Sequence, residues 1–583
     1  MGLFRPLVLL GALAGLGLGQ DCPIYGPAYP EVDNPGSAAA FSAARAAFET
    51  EIKNGLASGQ LDNTTSFVVQ VFSRHSEKTL YEHYHGPSVG PETLFRIASV
   101  SKLVSVYTTL IELGDKYWDE PVTKYVPELA RLKVRNPVYD VDWSQVTLGD
   151  LASHMGGIPR DYALGDLGPF LPDGVPGLPT LNESEQIHCG TIGLPACTRA
   201  GKYLFLMSVF DLLSRSFPVS ASSHTPVYSN MAFQLLSYAV EKIARKKFPN
   251  LVHKNILKPL KLTRTFLTNP INDTNHVVGE AWDWDFGEEA PGGGYFSCAK
   301  DLTKLGRAIL SSTLLPRATT RRWLRPVAHT ARLALSLGRP WEIQRLGLPV
   351  SSLPSSPPDL EDPNLVTRPS DLFTKQGSIS GYQTLLALSP EHGIGYVVLA
   401  GGTAGNPAGD MAAYTFLEEA LNRVWLVAAE VAAREQTRVS YAGNYTLAPA
   451  DDEQAENGGG AEAEFALVDG EPGLRLERFA SNGTDVLALL GQFNSLPDTS
   501  RFRAWLYPAG LEGGNKVAFR ASFGLAGVPA SEACSTWGSL DAVRYGGNPA
   551  DLFIFELGKD GKAVAVEVPV LKKTLRRREK LSK

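Results

Sequence analysis

Strand-forming sequence occurs at two places that are far apart in the chain, and a mostly helical region separates them. In the first, TTSFVVQVFSR (64–74), apolar and polar residues alternate, and TLYEHYHG (79–86) follows as a second strand. In the second, residues 371–402, two strands are joined by Ser-Pro-Glu-His-Gly, a sequence typical of a hairpin. This order predicts an α+β fold in which helices flank an antiparallel sheet built from both ends of one domain.

After about Thr437 the sequence changes to short apolar runs that are separated by Gly, Pro or Asn. Examples are YAGNYTLAP, FRAWLYPAG and DLFIFELG. This spacing is typical of an antiparallel β domain. We therefore predict a first domain over residues 20–435 and a C-terminal β-rich, lipocalin-like domain over residues 436–583.

The N-terminus has the pattern of a secretory signal peptide. Arg5 precedes an apolar run, Leu7 to Leu18, that is too short to span a bilayer comfortably and is followed by Gly-Gln-Asp-Cys. We predict cleavage near Gly19, so that residues 1–19 are removed and the mature protein is extracellular, with no membrane attachment. Five Asn-x-Ser/Thr sequons support export and predict a secreted glycoprotein: Asn63, Asn182, Asn272, Asn444 and Asn482.

Composition and charge exclude several classes of protein. Hydrophobic residues make up 44% and charged residues 20%, which is typical of a globular chain and not of a disordered one. A net charge of −6 provides no basic surface for nucleic acid. His83-Tyr-His85 is the one candidate for a metal site, but no Asp-His follows it and the other histidines form no cluster. We therefore expect no metal and no cofactor.

The chain has 5 cysteines, an odd number that leaves at least one thiol free or paired between chains. Cys189 and Cys197 enclose a short polar loop, and in an oxidising compartment they are the best candidates for a disulfide bond. The pairing of Cys22, Cys298 and Cys534 stays open.

Ser99 lies three residues before Lys102, at the point where a strand-like run becomes a helix. A serine hydroxyl is a weak nucleophile at neutral pH and needs a base and an oxyanion hole. Residues three apart share one face of a helix, so Lys102 can reach the Ser99 hydroxyl, and burial would lower the pKa of the lysine. Taken alone, the pair also fits a helix N-cap followed by a surface lysine, and Ser297-Cys-Ala-Lys300 has the same spacing.

The order of two further motifs favours Ser99 over Ser297. Tyr228-Ser-Asn230 is the only Tyr-x-Asn in the chain and immediately precedes a strong helix. Lys375-Gln-Gly-Ser lies on a strand that leads into the predicted hairpin. A serine acyl enzyme needs one polar element from the helical region and another from a strand at the edge of the site, and of the two serines Ser99 alone precedes both.

These three motifs resemble, in order and rough spacing, those of class C β-lactamases, related serine esterases and D-Ala-D-Ala carboxypeptidases. The stretches LFRIASVSK, DEPVTKYVPEL, LASHMGGIP and PGGGYFSCAKDL resemble that family too. The resemblance covers Ala39 to Arg434, and the whole chain is similar to fungal secreted β-lactamase-like proteins with an appended β domain. It implies a β-lactamase/transpeptidase-like fold and serine hydrolase activity for the first domain.

The resemblance also implies a role for each matching residue. Ser99 would be the acylated nucleophile, Lys102 its proton partner and Tyr228 the general base. The other matching residues would bind the substrate or form the oxyanion hole: Asn230, Lys375, Gly377 and Ser378. The backbone N–H groups of Ser99 and Ser378 would donate to the oxyanion. Gln376 stands where class C enzymes carry Thr, which argues against carboxylate recognition of the penicillin type.

We therefore predict a secreted, monomeric serine hydrolase that cleaves an ester or amide through an acyl-enzyme on Ser99. The expected substrate is a small molecule or a peptide, and no nucleic-acid partner is expected. Two alternatives stay open. The chain could transfer the acyl group to a secondary metabolite instead of water, or it could be a catalytically silent binding protein of the same fold.

Overall fold

The computed structural model describes the chain from residue 23 to residue 578, with internal gaps. The gaps are residues 163, 165, 169–176, 183–184, 188, 191–196, 201–207, 351–357, 359, 361–364, 403–406, 448–459, 494–498 and 526–535. The predicted signal peptide, Cys22 and Cys534 therefore lie outside the described residues. Within the described ranges, no helix is both long enough and apolar enough to cross a bilayer.

The described residues form two compact units. The first unit consists of the described parts of Arg45–Arg345 and Asp371–Asn422, and the second of those of Met1–Ala44, Leu346–Ser370 and Arg423–Lys583. The predicted boundary between residues 435 and 436 falls inside a helix that belongs to the second unit. The predicted domain limits stay a prediction, because compactness alone does not test whether each part folds by itself.

Most of the first ten strands of the chain build one sheet. These strands are β1 (Ser66–Ser73), β2 (Tyr81–His85), β3 (Phe95–Arg96), β4 (Phe296–Ser297), β5 (Ala328–His329), β6 (Leu335–Leu337), β7 (Glu342–Pro349), β8 (Thr367–Ile379), β9 (Tyr382–Ser389) and β10 (Ile394–Gly401). The sheet has 8 strands in the order β2-β1-β10-β9-β8-β7-β6-β5, and β3 and β4 form a separate short pair.

The central strands of this sheet come from both ends of the domain. β1 pairs antiparallel with β10, so that Phe67 lies opposite Ala400 and Val71 opposite Tyr396. β9 and β10 form the predicted hairpin, and β8 pairs antiparallel with β9. β1, β9 and β10 are buried at every position, as expected for strands that are covered on both faces. The α+β prediction is confirmed.

Helices cover the sheet and also form a separate cluster beside it. The helices up to residue 421 are α1 (Ala39–Ser58), α2 (Ser101–Leu113), α3 (Pro127–Ala130), α4 (Leu148–Ser153), α5 (Val209–Leu213), α6 (Met231–Ala244), α7 (Phe248–Val252), α8 (Lys258–Leu260), α9 (Ala290–Gly293), α10 (Ala299–Leu310), α11 (Arg317–Trp323) and α12 (Pro407–Leu421). α10 packs on β1, β9 and β10, and α12 packs on β9 and β10. α2, α6 and α9 pack on one another and provide the rigid support on which polar side chains can be held.

The second unit contains an antiparallel β-barrel. The strands from residue 443 onward are β11 (Gly443–Thr446), β12 (Ala461–Ala466), β13 (Leu474–Ser481), β14 (Thr484–Asp485), β15 (Phe502–Gly513), β16 (Lys516–Leu525), β17 (Arg544–Tyr545), β18 (Asn548–Pro549), β19 (Leu552–Leu557), β20 (Ala563–Val568) and β21 (Lys573–Arg577). β17 and β18 form a separate pair, and the other strands belong to the barrel sheet. The sheet order is β12-β11-β21-β20-β19-β16-β15-β13-β14, and β12 also pairs with β13. That extra pairing closes the sheet, with β14 outside the circuit. The prediction of a C-terminal β domain is confirmed.

Side chains fill the interior of the barrel. Phe555 lies between four other rings at centroid distances of 5.1 to 5.9 Å: Tyr441, Tyr445, Phe465 and Phe519. All four rings meet Phe555 edge to face, the geometry that aromatic quadrupoles favour. These rings belong to a cluster of buried hydrophobic residues inside the barrel. The lipocalin-like character of the domain stays a prediction.

A buried ion pair in the second unit joins Arg368 on β8 to Glu430 on the helix α13 (Val427–Ser440). Two shorter helices follow in the chain, α14 (Val486–Phe493) and α15 (Thr536–Ser539). The Arg368 guanidinium donates to both oxygens of Glu430, each at 2.6 Å. Both side chains are almost fully buried, so each charge relies on the other for the solvation that water would provide.

Two predictions about covalent modification concern described residues. The structure contains the predicted disulfide bond between Cys189 and Cys197, and Cys298 is a buried free thiol. The asparagines of all five sequons are exposed, which leaves each of them accessible to a glycan.

We predict that Glu430→Ala lowers the free energy of unfolding by about 3–5 kcal/mol, because it leaves the Arg368 charge buried without its countercharge. Glu435→Ala on the same helix is the matched control. Glu435 pairs with Arg438 in an exposed i,i+3 contact, so its loss should cost less than about 1 kcal/mol. Urea unfolding followed by circular dichroism measures both, and equal costs would contradict the prediction.

Candidate active site

Ser99 lies in a tight turn between β3 and α2. The turn is a 3₁₀ helix, Ala98–Val100, and Ala98 has a φ of +41°, a left-handed conformation that is strained for a residue with a side chain. The chain before it is held by a hydrogen bond from Ile97 N to Tyr295 O of 3.0 Å. Ser99 makes no capping hydrogen bond, and its neighbours Ala98 and Val100 are buried while it is partly exposed. The N-cap interpretation of Ser99 is therefore wrong.

The Ser99 hydroxyl accepts hydrogen bonds from two groups that can exchange protons. Tyr228 OH donates to Ser99 Oγ at 2.7 Å, and Lys102 Nζ donates to the same oxygen at 3.0 Å. Tyr228 precedes α6, and Lys102 is in the first turn of α2. The packing of these two helices on each other explains how residues far apart in sequence meet at one oxygen.

Lys102 is completely buried, which contradicts the interpretation of a surface lysine. Its ammonium group also donates to Asn230 Oδ1 at 2.6 Å and to the carbonyl oxygen of Gly292 on α9. With Ser99 Oγ, these acceptors use all three of its protons. Burial lowers the pKa of Lys102 below its ordinary value.

The Tyr228 ring is enclosed by positive charges and by a neutral histidine. Lys102 Nζ lies 5.0 Å, Lys375 Nζ 5.5 Å and the Arg160 guanidinium 4.9 Å from the ring centroid. Burial by itself would raise the pKa of the Tyr228 phenol, but the charges of Lys102 and Lys375 outweigh it and lower that pKa to about 8. A phenol with this pKa can act as a base near neutral pH.

His154 stacks on the Tyr228 ring, with a centroid distance of 4.1 Å. Its Nδ1 accepts a hydrogen bond from Ser229 N at 3.1 Å, so the proton of the neutral ring is on Nε2. Burial and the nearby lysines lower the pKa of His154 well below its ordinary value. His154 therefore supports the base as an uncharged surface and keeps water from that face of the ring.

Asn230 is held in one orientation by groups on both sides. Its Oδ1 accepts from Lys102, and its Nδ2 donates to Asp161 Oδ1 at 2.6 Å. Arg160 Nε lies 3.2 Å from the other oxygen of Asp161. Half-buried Glu289 is close to Asp161, and burial together with that neighbouring charge raises the pKa of Glu289 to about 8.

Strand β8 brings Lys375, Gly377 and Ser378 to the site. A Cβ atom on Gly377 would lie 2.3 Å from Ile97 O and 3.0 Å from Ser99 N, so a side chain at this position would collide with the backbone of the serine turn. The backbone of Gly377 therefore runs directly beside the Ser99 amide, and Ser378 follows as an exposed residue. An oxyanion hole made of two backbone N–H groups requires this close approach.

Glu342 on β7 binds two groups of the neighbouring strand. Lys375 Nζ donates to Glu342 Oε1 at 2.5 Å, and Gln376 N donates to Glu342 Oε2 at 2.9 Å. Burial would lower the pKa of Lys375, but the Glu342 carboxylate offsets this and raises that pKa above its ordinary value. Lys375 therefore stays protonated.

The competing serine motif does not form a comparable site. Ser297 is completely buried on β4, where its hydroxyl lies 2.9 Å from Thr265 Oγ1. Lys300 is directed to the surface, where it pairs with Glu92 at 2.6 Å. His83 and His85 stack on Phe67, at centroid distances of 5.6 and 4.7 Å. In the part of the chain that the structure describes, no group of three or more His, Cys, Asp or Glu residues is arranged to hold a metal ion.

Three residues of the site were not predicted from the sequence: His154, Asp161 and Glu342. His154 lies in LASHMGGIP, one of the stretches that carries the resemblance, so that stretch contained a usable signal. Asp161 and Glu342 lie in no motif. Glu342 meets Lys375 because β7 and β8 are neighbours in the sheet, a fact of topology that the local sequence does not contain.

Two protein-family models match this chain, one over its first part and one over its C-terminal part. A family model described as Beta-lactamase matches residues 67–420, which is more than half of the chain and includes every residue of the site. The chain belongs to the beta-lactamase family. A second model, described as a beta-lactamase-like-like C-terminal domain, matches residues 433–579. The β-lactamase-related fold prediction is confirmed for the first part of the chain.

Three similar proteins each match more than half of the chain. A beta-lactamase-like protein of Arthroderma benhamiae is 29% identical over 87% of this chain and 87% of its own length. A probable hydrolase of Phoma sp. is 25% identical over 86% of this chain and 83% of its own length. A D-alanyl-D-alanine-carboxypeptidase/endopeptidase of Escherichia coli is 24% identical over 54% of this chain and 73% of its own length.

We predict that Ser99→Ala abolishes covalent labelling by a fluorescent fluorophosphonate, because the labelled oxygen is removed. Ser297→Ala is the control and should keep nearly full labelling, since Ser297 is buried. In-gel fluorescence with both variants measures the effect. Labelling that persists in Ser99→Ala would contradict Ser99 as the nucleophile.

Proposed function

We propose that this chain is an active serine hydrolase that cleaves an ester or amide through an acyl-enzyme on Ser99. One observation carries the proposal. The Ser99 hydroxyl accepts hydrogen bonds from both Tyr228 and Lys102, and the pKa of Tyr228 is lowered to about 8. A binding protein that had lost catalysis would have no need to keep a serine in a strained turn, a buried lysine and an acidified tyrosine at one point.

In the proposed acylation, the Tyr228 phenolate takes the proton from Ser99 Oγ as that oxygen attacks the carbonyl carbon of the substrate. The backbone N–H groups of Ser99 and Ser378 donate to the oxyanion that forms, a contribution worth about 10²–10³ in rate for one donor. The proton then passes from Tyr228 to the leaving group. Deacylation repeats the sequence with water as the nucleophile and Tyr228 again as the base.

The other residues of the site hold this proton path in place. Lys102 stabilises the phenolate and orients Ser99 Oγ, and Lys375 adds a second positive charge on the Tyr228 ring. Asn230 faces the acyl side of the substrate, with its amide fixed by Lys102 and Asp161. The E. coli relative is named as a peptidase and the Phoma relative as a probable hydrolase, and these names support hydrolysis of small or peptide-like acyl compounds.

We also propose that the protein is secreted, glycosylated and monomeric. The signal-like N-terminal sequence, five exposed sequon asparagines and the Cys189–Cys197 disulfide bond support passage through an oxidising secretory pathway. Acyl transfer uses the same acyl-enzyme and differs in the acceptor, so product analysis in the presence of alcohols separates it from hydrolysis.

We predict that Tyr228→Phe lowers kcat/KM on an activated ester by roughly 10²–10⁴-fold, because the ring stays in place while the base is lost. Lys102→Met should be comparably harmful. The double variant should lose much less than the product of the single losses, since both residues serve one proton path. Steady-state kinetics with circular dichroism as a folding control measures this. Near-normal turnover by Tyr228→Phe would assign the base to Lys102.

The pH dependence of kcat/KM reports the same base. Because the phenolate is the active form, we expect kcat/KM to rise about tenfold per pH unit below pH 8 and to level off above it. Lys375→Met should move this rising part of the pH profile, its acid limb, to higher pH, since it removes a charge that lowers the pKa of Tyr228. Glu289→Gln is the control, because Glu289 also titrates near pH 8 and its removal should leave the limb unchanged. A limb that disappears in Glu289→Gln would contradict the assignment to Tyr228.

A further inference from the structure

The positive groups around Tyr228 are already paired within the protein. Lys102 has Ser99, Asn230 and Gly292 as acceptors, and Arg160 lies 3.2 Å from a carboxylate oxygen of Asp161. Lys375 is paired with Glu342. A substrate carboxylate that entered this site would therefore meet no cation that lacks an acceptor among the described residues.

The Glu342 carboxylate holds both Lys375 and the backbone next to it. One oxygen of Glu342 accepts from Lys375 Nζ and the other from Gln376 N, so the carboxylate bridges a side chain and the adjacent backbone. Lys375 Nζ also donates to Gln376 O at 2.7 Å. The Lys375 side chain is 1% exposed and that of Glu342 is 25% exposed, so the carboxylate is the more accessible of the two charges.

The leaving group must come close to this ion pair. In the proposed mechanism, on which this inference rests, Tyr228 passes its proton to the leaving group, which therefore lies within hydrogen-bond distance of Tyr228 OH. Lys375 is beside the Tyr228 ring, and Glu342 covers Lys375. A negative charge on the leaving group would be repelled by Glu342 and would compete with it for Lys375.

We propose that Glu342 is a specificity-determining residue that makes the enzyme select esters and amides with uncharged leaving groups and reject those whose leaving group carries a carboxylate. Glu342 acts through Lys375. Its carboxylate occupies the Lys375 ammonium group, so that this cation cannot bind a substrate carboxylate, and the ammonium group stays beside the Tyr228 ring. The substrate class is then a neutral ester or amide, in contrast to compounds that carry a carboxylate next to the scissile bond.

The test uses two N-acylglycyl thioesters that differ in one group. The leaving group is thioglycolate in one and the methyl ester of thioglycolate in the other. In each reaction water adds to the acyl carbon, the carbon–sulfur bond breaks and the released thiol is measured with a chromogenic disulfide. Each kcat/KM is divided by the rate constant for hydroxide-catalysed hydrolysis of the same thioester, which removes the difference in leaving-group reactivity. We expect this ratio for the full-length wild-type protein to be at least about tenfold higher for the methyl ester, because a charged hydrogen-bond partner typically changes binding by this factor or more.

Glu342→Gln should reduce this preference by about tenfold, because the repulsion between the Glu342 carboxylate and the carboxylate of the leaving group is removed. A substitution that only loosened the site would lower both rates together and leave their ratio unchanged. Glu92→Gln is the matched control, since Glu92 pairs with Lys300 at 2.6 Å away from the site and its loss changes the net charge equally. This control should keep the wild-type ratio.

The outcomes separate the two proposals. If wild type, after this division, hydrolyses the thioglycolate ester as fast as the methyl ester or faster, the selectivity proposal is overturned while the hydrolase proposal stands. An unchanged ratio in Glu342→Gln overturns the assignment to Glu342. If neither thioester is hydrolysed, the proposed function fails, and the selectivity proposal fails with it. The wild-type comparison decides the selectivity even if Glu342→Gln does not fold.

Discussion

A lysine ammonium group buried in the first unit is the constraint on which the active site depends. An ion that is removed from water is stable only if other groups replace its hydration shell. Lys102 obtains these groups from three separate segments: the serine turn, the start of α6 and the carbonyl end of α9. The helix cluster of α2, α6 and α9 is therefore positioned by the needs of one charge as well as by apolar packing.

The positive charges of the site are each paired with a hydrogen-bond acceptor. Each cation near Tyr228 has an acceptor that fixes its position, and the aromatic ring is fixed by His154 and by the cations above it. As a result the phenol is acidified while each of these three described cations keeps an acceptor. Charge pairs of this kind depend on exact geometry, so small displacements of β7 or α6 would change the pKa of the base before they changed the fold.

The sequence predicted the class of fold and the central residues of the site because their signals are local. These signals depend on near neighbours in the chain. They are the alternation of apolar and polar residues in 64–74, the hairpin sequence before Ile394 and the Ser-x-x-Lys spacing. Asp161 and Glu342 were missed because their partners, Asn230 and Lys375, are reached through helix packing and strand order. The aromatic contacts inside the barrel could not be predicted for the same reason, since Tyr441, Phe465 and Phe555 meet only after the sheet closes.

Closure of the barrel has a further consequence for how its own strands behave toward other chains. An open antiparallel sheet ends in strands whose N–H and C=O groups are free to pair with a second chain. Pairing of β12 with both β11 and β13 joins the two ends of the circuit and satisfies these groups within one chain. A domain built in this way can reach high concentration without recruiting further copies by strand addition, which limits fibre formation and aggregation.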